Sequence, residues 1–131
     1  SEMCIRDRCK KYHIPLDELE RKALKLLHSK TGAAIARDVF AVDDDVYNAI
    51  MYHTTGKPDM SLQDKILYLA DMTSAERDWP GVEALRALEM EDLDRALCEA
   101  LKQSIDFVEE RGGALDPESV AAYEYAKAHL K

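Results

Sequence analysis

Ser61-Leu62-Gln63-Asp64-Lys65-Ile66-Leu67-Tyr68-Leu69-Ala70-Asp71-Met72 is written as a helix from its first residue. Ser61 and Asp64 stand three apart, the spacing at which a serine hydroxyl and a carboxylate each accept from the other's backbone N–H at a helix start. Leu62, Ile66, Leu69 and Ala70 then share one wide arc at about 100° per residue, which predicts a helix over Leu62–Met72 with that arc buried. Asp71 lies beside Leu67 at the margin of the arc. Carboxylates avoid such places unless paired or bound to metal, because desolvating the charge is costly. A salt bridge to Lys65 or Arg77 meets that need, and periodicity alone favours it.

Outward from this segment the chain keeps a helical period. Upstream, Asp43 can cap a helix in which Val46, Ile50 and His53 share a face, with Gly56 as its stop. Ala33–Phe40 reads as a short apolar helix. Before it, Thr31-Gly32 breaks a helix over Asp17–His28 that carries Leu19, Ala23 and Leu26 on one face. Downstream, Arg77-Asp78-Trp79-Pro80-Gly81 is a loop, and an amphipathic helix runs from about Glu91 to Arg111, ending at Gly112-Gly113. Asp116-Pro117, a cap followed by proline at the first helical position, opens a last helix to Leu130. No segment alternates as a strand does, so the expected fold is all-α. The first eight residues, Ser-Glu-Met-Cys-Ile-Arg-Asp-Arg, show no helical or strand period. They look like a translated transposon-end sequencing adapter, and the fold reading leaves them out.

The 131 residues suit one domain. No apolar run nears the roughly 18 residues that span a bilayer, and the N-terminus carries no signal peptide. Both point to the cytoplasm and away from membranes. Cys4, Cys9 and Cys98 are odd in number and lack C-x-x-C spacing, which speaks against a disulfide framework or a zinc knuckle. The net charge of −8 disfavours non-specific nucleic-acid binding. Residues 82–131 hold 6 basic and 12 acidic side chains, so the first 81 are nearly neutral and the better place for a polyphosphate pocket.

Among the four histidines, His13 and His129 lie with charged or terminal residues and read as surface groups. His53 shares its helical face with Val46 and Ile50, where spacing alone favours a satisfied core histidine over a ligand. His28 stands at an expected helix end, where an imidazole can face a cleft.

Several short segments then form a series: Leu27-His28-Ser29-Lys30-Thr31-Gly32-Ala33, Tyr52-His53-Thr54-Thr55-Gly56-Lys57-Pro58, Met60-Ser61-Leu62, Tyr68-Leu69-Ala70-Asp71 and Arg77-Asp78-Trp79-Pro80-Gly81-Val82. In this order they resemble the YqeK-type HD-domain bis(5'-nucleosyl)-tetraphosphatases (symmetrical), over the chain from about Cys9 to its end. The resemblance implies an HD-domain helical bundle and a mononuclear iron site of the H…HD…D type that splits diadenosine tetraphosphate into two ADP molecules. It places the last metal ligand on Asp71. His28 and His53 match positions that approach the phosphates, or a second metal in binuclear relatives, and are the catalytic candidates. Thr54 and Arg77 match nucleotide contacts. Ala114–Ser119, with Leu115 and Pro117, matches a loop that closes over the nucleotide, although the family usually has histidine where Asp116 precedes Pro117.

The first histidine and the His-Asp doublet of that pattern belong upstream of Cys9 and are not supplied here. The expectation is therefore the C-terminal part of a single HD domain, residues 9–131, lacking its N-terminal helices and inactive alone. His28, His53 and Asp71 should converge on one cleft bordered by Arg77, with apolar surface uncovered beside Asp71. A divalent transition metal, iron by resemblance, and a dinucleoside polyphosphate or ADP are the implied partners, and homodimerisation is left open. The alternatives are another HD-domain nucleotide phosphohydrolase, or a non-catalytic helical interaction module whose histidines are core residues.

Overall fold

The computed structural model describes residues 2–16 and 27–131. Among them the chain forms seven α-helices and no strand, the all-α class expected. The helix anticipated over Asp17–His28 falls outside the described residues except for Leu27 and His28. Two compact units divide the chain, one ending at Thr54 and the other running Thr55–Lys131.

The first unit contains α1 (Glu2–Lys11), α2 (His28–Phe40) and α3 (Asp44–Tyr52). The opening residues, read above as patternless, are helical. Ile5 and Cys9 sit one turn apart, and Cys9 is buried with Leu27 while Ile5, Ile14 and Leu16 pack around them. One apolar pair among charged residues is too short a period to read in sequence. Tyr12, just past α1, donates its hydroxyl to Asp38 of α2 at 2.8 Å.

Thr31-Gly32 does not break a helix; α2 runs through it. The Thr31 hydroxyl, which could compete with the backbone, instead donates to the Leu27 carbonyl at 2.9 Å. Glycine in a helix costs about 1 kcal/mol against alanine; a Cβ on Gly32 would stand 3.6 Å from Ile50 Cγ2, ordinary van der Waals contact, so α3 packs across this position with room for a methyl group and little more. Asp43 caps α3 by accepting from Val46 N at 2.9 Å, as its position predicts. The helix ends at Tyr52 with His53 as its cap, before Gly56.

The second unit contains α4 (Leu62–Thr73), α5 (Val82–Glu91), α6 (Leu93–Glu110) and α7 (Pro117–Ala128). The capping box of α4 is formed in both directions, Ser61 N to Asp64 Oδ2 at 2.9 Å and Asp64 N to Ser61 Oγ at 3.1 Å. Tyr68 and Leu69 of α4 join Leu85, Ala96, Leu97, Ala100, Leu101 and Ala122 in one core. Ala96 and Ala100 on α6 keep that face narrow enough for α4, α5 and α7 to pack against it.

The predicted buried arc of α4 is corrected here. Leu69 is buried, but Leu62 and Ile66 are 63% and 52% exposed, and Ala70 is exposed as well. The buried face is that of Asp64, Tyr68 and Leu69, with Met72 packed against the same core, rotated from the all-apolar stripe. Helix α5 has no counterpart in the sequence reading. Asp92 separates it from α6 and caps α6 by accepting from Arg95 N at 3.1 Å. Gly56 acts by close approach: at φ +74° its missing Cβ would stand 3.0 Å from Leu101 and 3.2 Å from Ala122.

Candidate functional site

In the first unit the sequence-predicted residues His28, His53 and Thr54 meet. His28 opens α2 and His53 closes α3, and the packing of these two helices through Gly32 and Ile50 brings the imidazoles together. His53 Nδ1 lies 2.6 Å from the Ile50 carbonyl. A carbonyl only accepts, so Nδ1 carries a proton and a neutral His53 presents the lone pair of Nε2. His28 Nε2 lies 3.1 Å from that atom, with the rings edge-on at 77° and centroids 5.0 Å apart. In the neutral pair, then, His28 donates from Nε2 and His53 accepts. Protonation of His53 reverses the direction. Thr54 Oγ1 stands 3.3 Å from His28 Nε2, and a hydroxyl can serve either direction.

His53 is half-buried and lies outside the apolar core, although both its ring nitrogens have partners. The imidazole meets a second imidazole, and the contact between them is exposed. With His53 protonated on both nitrogens, two ring nitrogens and a hydroxyl concentrated at one point can act as donors to an oxyanion. Two imidazole nitrogens about 2.9–3.4 Å apart also match adjacent ligands of one ion held at about 2.0–2.1 Å. Yet among the described residues no three His, Cys, Asp or Glu side chains form a group able to hold a metal.

In the second unit Asp71 lies near the end of α4, its side chain 47% exposed, and Arg77 Nη2 approaches its Oδ1 at 3.8 Å. Arg77 Nε also donates to the Asp71 carbonyl at 3.0 Å. Of the two salt-bridge partners that spacing offered, Arg77 is the one realised; Lys65 instead binds Asp94 at 2.7 Å. An exposed pair at such a distance contributes roughly 0–1 kcal/mol, so Asp71 and Arg77 are held without being locked. Arg77 also borders an open cavity of about 800 Å³ between the loop after α4 and the C-terminal half of α6.

Ala114–Ser119 leads into α7, with Leu115 half-buried and Pro117 exposed. Asp116 caps that helix by accepting from Glu118 N at 2.9 Å. The Ser119 hydroxyl donates to the Thr55 carbonyl at 2.9 Å, tying this segment to the residue that follows Thr54 in the chain. His13 and His129 are exposed, as read, and His129 stacks on Tyr125.

Sequence reasoning missed three residues. Arg86 donates to the carbonyls of Thr73, Ser74 and Arg77 at 3.0, 3.0 and 2.9 Å, fixing the loop that carries Arg77. Trp79 and Phe107 line the cavity beside Arg77. The lone tryptophan in a Pro-Gly loop was a usable signal; Arg86, inside the unread α5, offered none.

Comparison with known proteins gives a consistent picture. The family described as HD domain matches residues 8–76. The chain is 39% identical over 100 residues to the symmetrical bis(5'-nucleosyl)-tetraphosphatase of Halalkalibacterium halodurans, covering 76% of this chain and 54% of that protein. To the Bacillus subtilis protein of the same name it is 33% identical over 102 residues, 77% of this chain and 55% of that one. The chain thus spans about half the length of the curated relatives it matches. A crystal structure from Clostridium acetobutylicum, described as a predicted HD superfamily hydrolase involved in NAD metabolism, superposes with a TM-score of 0.90 at 35% identity, covering 99% of this chain and 69% of that one.

Proposed function

This chain belongs to the HD-domain family, and on that premise we propose that the whole protein is a metal-dependent phosphohydrolase. Its substrates are diadenosine tetraphosphate and related dinucleoside polyphosphates, cleaved symmetrically to nucleoside diphosphates. The observation that carries this reading is the contact of His28 Nε2 with His53 Nε2 at 3.1 Å, with the Thr54 hydroxyl beside it. With His53 protonated, these groups are donors that suit the equatorial oxygens of a phosphoryl group, on which charge develops as the anhydride breaks. The names borne by the relatives add the substrate class.

In this reading Asp71 supplies a carboxylate to a divalent transition metal; carboxylate and imidazole ligands together suit Fe, Mn or similar ions, and the resemblance favours iron. When bound, such an ion acidifies its water and polarises a phosphoryl oxygen. Asp71 is one ligand of a larger set, since the described residues hold no group of three. His28, His53 and Arg77 bind and orient the phosphates, and Thr54, Leu115 and Pro117 contact the nucleotide. The exposed Leu62, Ile66 and Leu67, on the helix that carries Asp71, suit a surface that further helices of the whole protein cover. No helix among the described residues is long and apolar enough to cross a membrane. A cytoplasmic location, with no nucleic-acid partner and homodimerisation open, completes the proposal.

The test uses four proteins: this chain, the full-length protein, and the full-length Asp71→Ala and His53→Ala variants. The full-length protein should release only ADP from diadenosine tetraphosphate once a divalent transition metal is added. This chain should turn over negligibly. Asp71→Ala should lose both metal and activity, whereas His53→Ala should keep metal and lose on the order of 10²–10³-fold in rate. An active, metal-replete Asp71→Ala would refute the ligand assignment, and robust turnover by this chain would refute its dependence on further residues.

A further inference from the structure

We propose that the second unit carries a site for a small zwitterion, an α-amino acid with a short aliphatic side chain. It lies in the cavity that α7 forms with the loop before α4 and the first turns of α4 and α6. None of its residues has a part in the phosphohydrolase reading, and the site does not rest on that reading.

The cavity measures about 180 Å³, a little above the roughly 150 Å³ that takes a six-carbon ring, so it suits a ligand of about eight non-hydrogen atoms. Its floor is apolar. Met60, Leu97 and Ala122 belong to the buried core of this unit, and Ala126 packs against that core. An aliphatic side chain laid on this floor exchanges water for carbon. From α7, Tyr125 and His129 form a wall, their rings stacked with centroids 3.9 Å apart. The His129 ring is fixed through Nδ1, which donates to the Tyr125 carbonyl at 2.8 Å.

Both signs of charge line this small space, Lys57 and Lys65 with Asp59 and Asp94. Lys65 donates to Asp94 Oδ1 at 2.7 Å, and the Tyr125 hydroxyl donates to Asp59 Oδ1 at 3.1 Å. Each carboxylate thus keeps its other oxygen for a further donor, and the Lys65 ammonium keeps protons for a further acceptor. Lys57 approaches the buried Asp64 at 3.8 Å, beyond hydrogen-bond length, and adds a second positive charge. Exposed ion pairs contribute little to stability, so a ligand can share these groups at small cost. A simple anion would meet Asp59 and Asp94, and a simple cation would meet Lys57 and Lys65. An α-amino acid satisfies both sets: its ammonium on the aspartates, its carboxylate on the lysines, its side chain on the floor.

Valine is of the right size and serves as the probe. Titrated into this chain, it should shift the amide resonances of residues 57–60 and 122–129 saturably, with a Kd on the order of 1 mM. Isobutylamine, which is valine without the carboxylate, should bind at least about tenfold more weakly, and so should 3-methylbutanoate, which is valine without the ammonium. Lys65→Gln should weaken valine about tenfold and leave isobutylamine unaffected. Ala126→Leu, which fills the floor without touching a charge, should abolish saturation while circular dichroism shows the helices intact. Isobutylamine binding as tightly as valine would make this a cation site, and 3-methylbutanoate doing so would make it an anion site. Either result overturns the proposal. So does the lack of a saturable shift up to about 50 mM valine, or undiminished binding by folded Lys65→Gln or Ala126→Leu. The titration needs neither metal nor turnover, so its outcome is independent of whether the full-length protein hydrolyses dinucleoside polyphosphates.

Discussion

Arg86 on α5 holds the backbone carbonyl of Arg77 with Nη2 at 2.9 Å, so one arginine sets where the other begins. The same guanidinium takes the carbonyls of Thr73 and Ser74, the unsatisfied acceptors at the end of α4. A planar fork with several donors in fixed directions can serve three carbonyls at once.

Replacing Arg86 with alanine should therefore loosen residues 74–77 and cost on the order of 2–4 kcal/mol, three charge-assisted bonds less what water restores. Urea unfolding measures the loss, and amide exchange should rise first at Arg77. Arg86→Lys should recover less than half, because an ammonium on a flexible stem cannot reach all three carbonyls. Full recovery by lysine would mean that charge, not geometry, sets the loop.

The imidazole pair makes a sharper claim. With both rings neutral, His53 should carry its proton on Nδ1, held by the Ile50 carbonyl, and His28 on Nε2. Imidazole nitrogen NMR shifts distinguish the two tautomers directly. Thr54→Ala should leave both unchanged, since the carbonyl and not the hydroxyl fixes the arrangement. His53 found as the Nε2–H tautomer would contradict it.

Burial pushes the Tyr68 phenol up to about 12, opposed by its hydrogen bond to Ser104 and reinforced by the Asp71 charge. An unfolded tyrosine ionises near 10. Between those values the unfolded chain releases a proton that the folded chain retains, so stability is full below about pH 10 and falls as pH rises toward 12. About two units correspond to roughly 2–3 kcal/mol. Tyr68→Phe should flatten that part of the stability profile, at a cost near 1 kcal/mol at neutral pH for the hydrogen bond to Ser104.

Gly56→Ala should destabilise the second unit by on the order of 2–4 kcal/mol. A side chain at φ +74° is strained, and its Cβ would stand 3.0 Å from Leu101, a residue with no exposed surface. Leu101→Ala in the same background should relieve part of the crowding, so the two changes together should cost less than their sum.

What could be read in advance was local. The caps at Asp43, Ser61 and Asp116 stand as expected because each is a bond between residues two or three apart. Arg77 as a partner of Asp71 was legible for the same reason, six residues along one turn and loop. The interruption at Thr31-Gly32 was misread because its resolution is tertiary: α3 packs across Gly32, with Ile50 at contact distance from where a Cβ there would lie. Helix α5 escaped notice because it follows Pro80-Gly81 directly, and the residue that separates it from α6, Asp92, lay inside the helix expected from about Glu91. The meeting of His28 with His53 depends on two helices packing, and spacing pointed the other way for His53. Only the resemblance placed both histidines on phosphate.

Ile50 serves two masters. Its methyl group rests near Gly32, one turn beyond His28, while its carbonyl grips the proton of His53. Sliding α3 along α2 by a fraction of a turn would thus disturb helix packing and imidazole orientation together. The interface works like a vernier, on which a small displacement of backbone is read as a change in which ring nitrogen holds hydrogen. Substituting a bulkier residue at Gly32 should therefore be felt in proton placement at His53, several residues and one helix away, without altering any group that touches either ring.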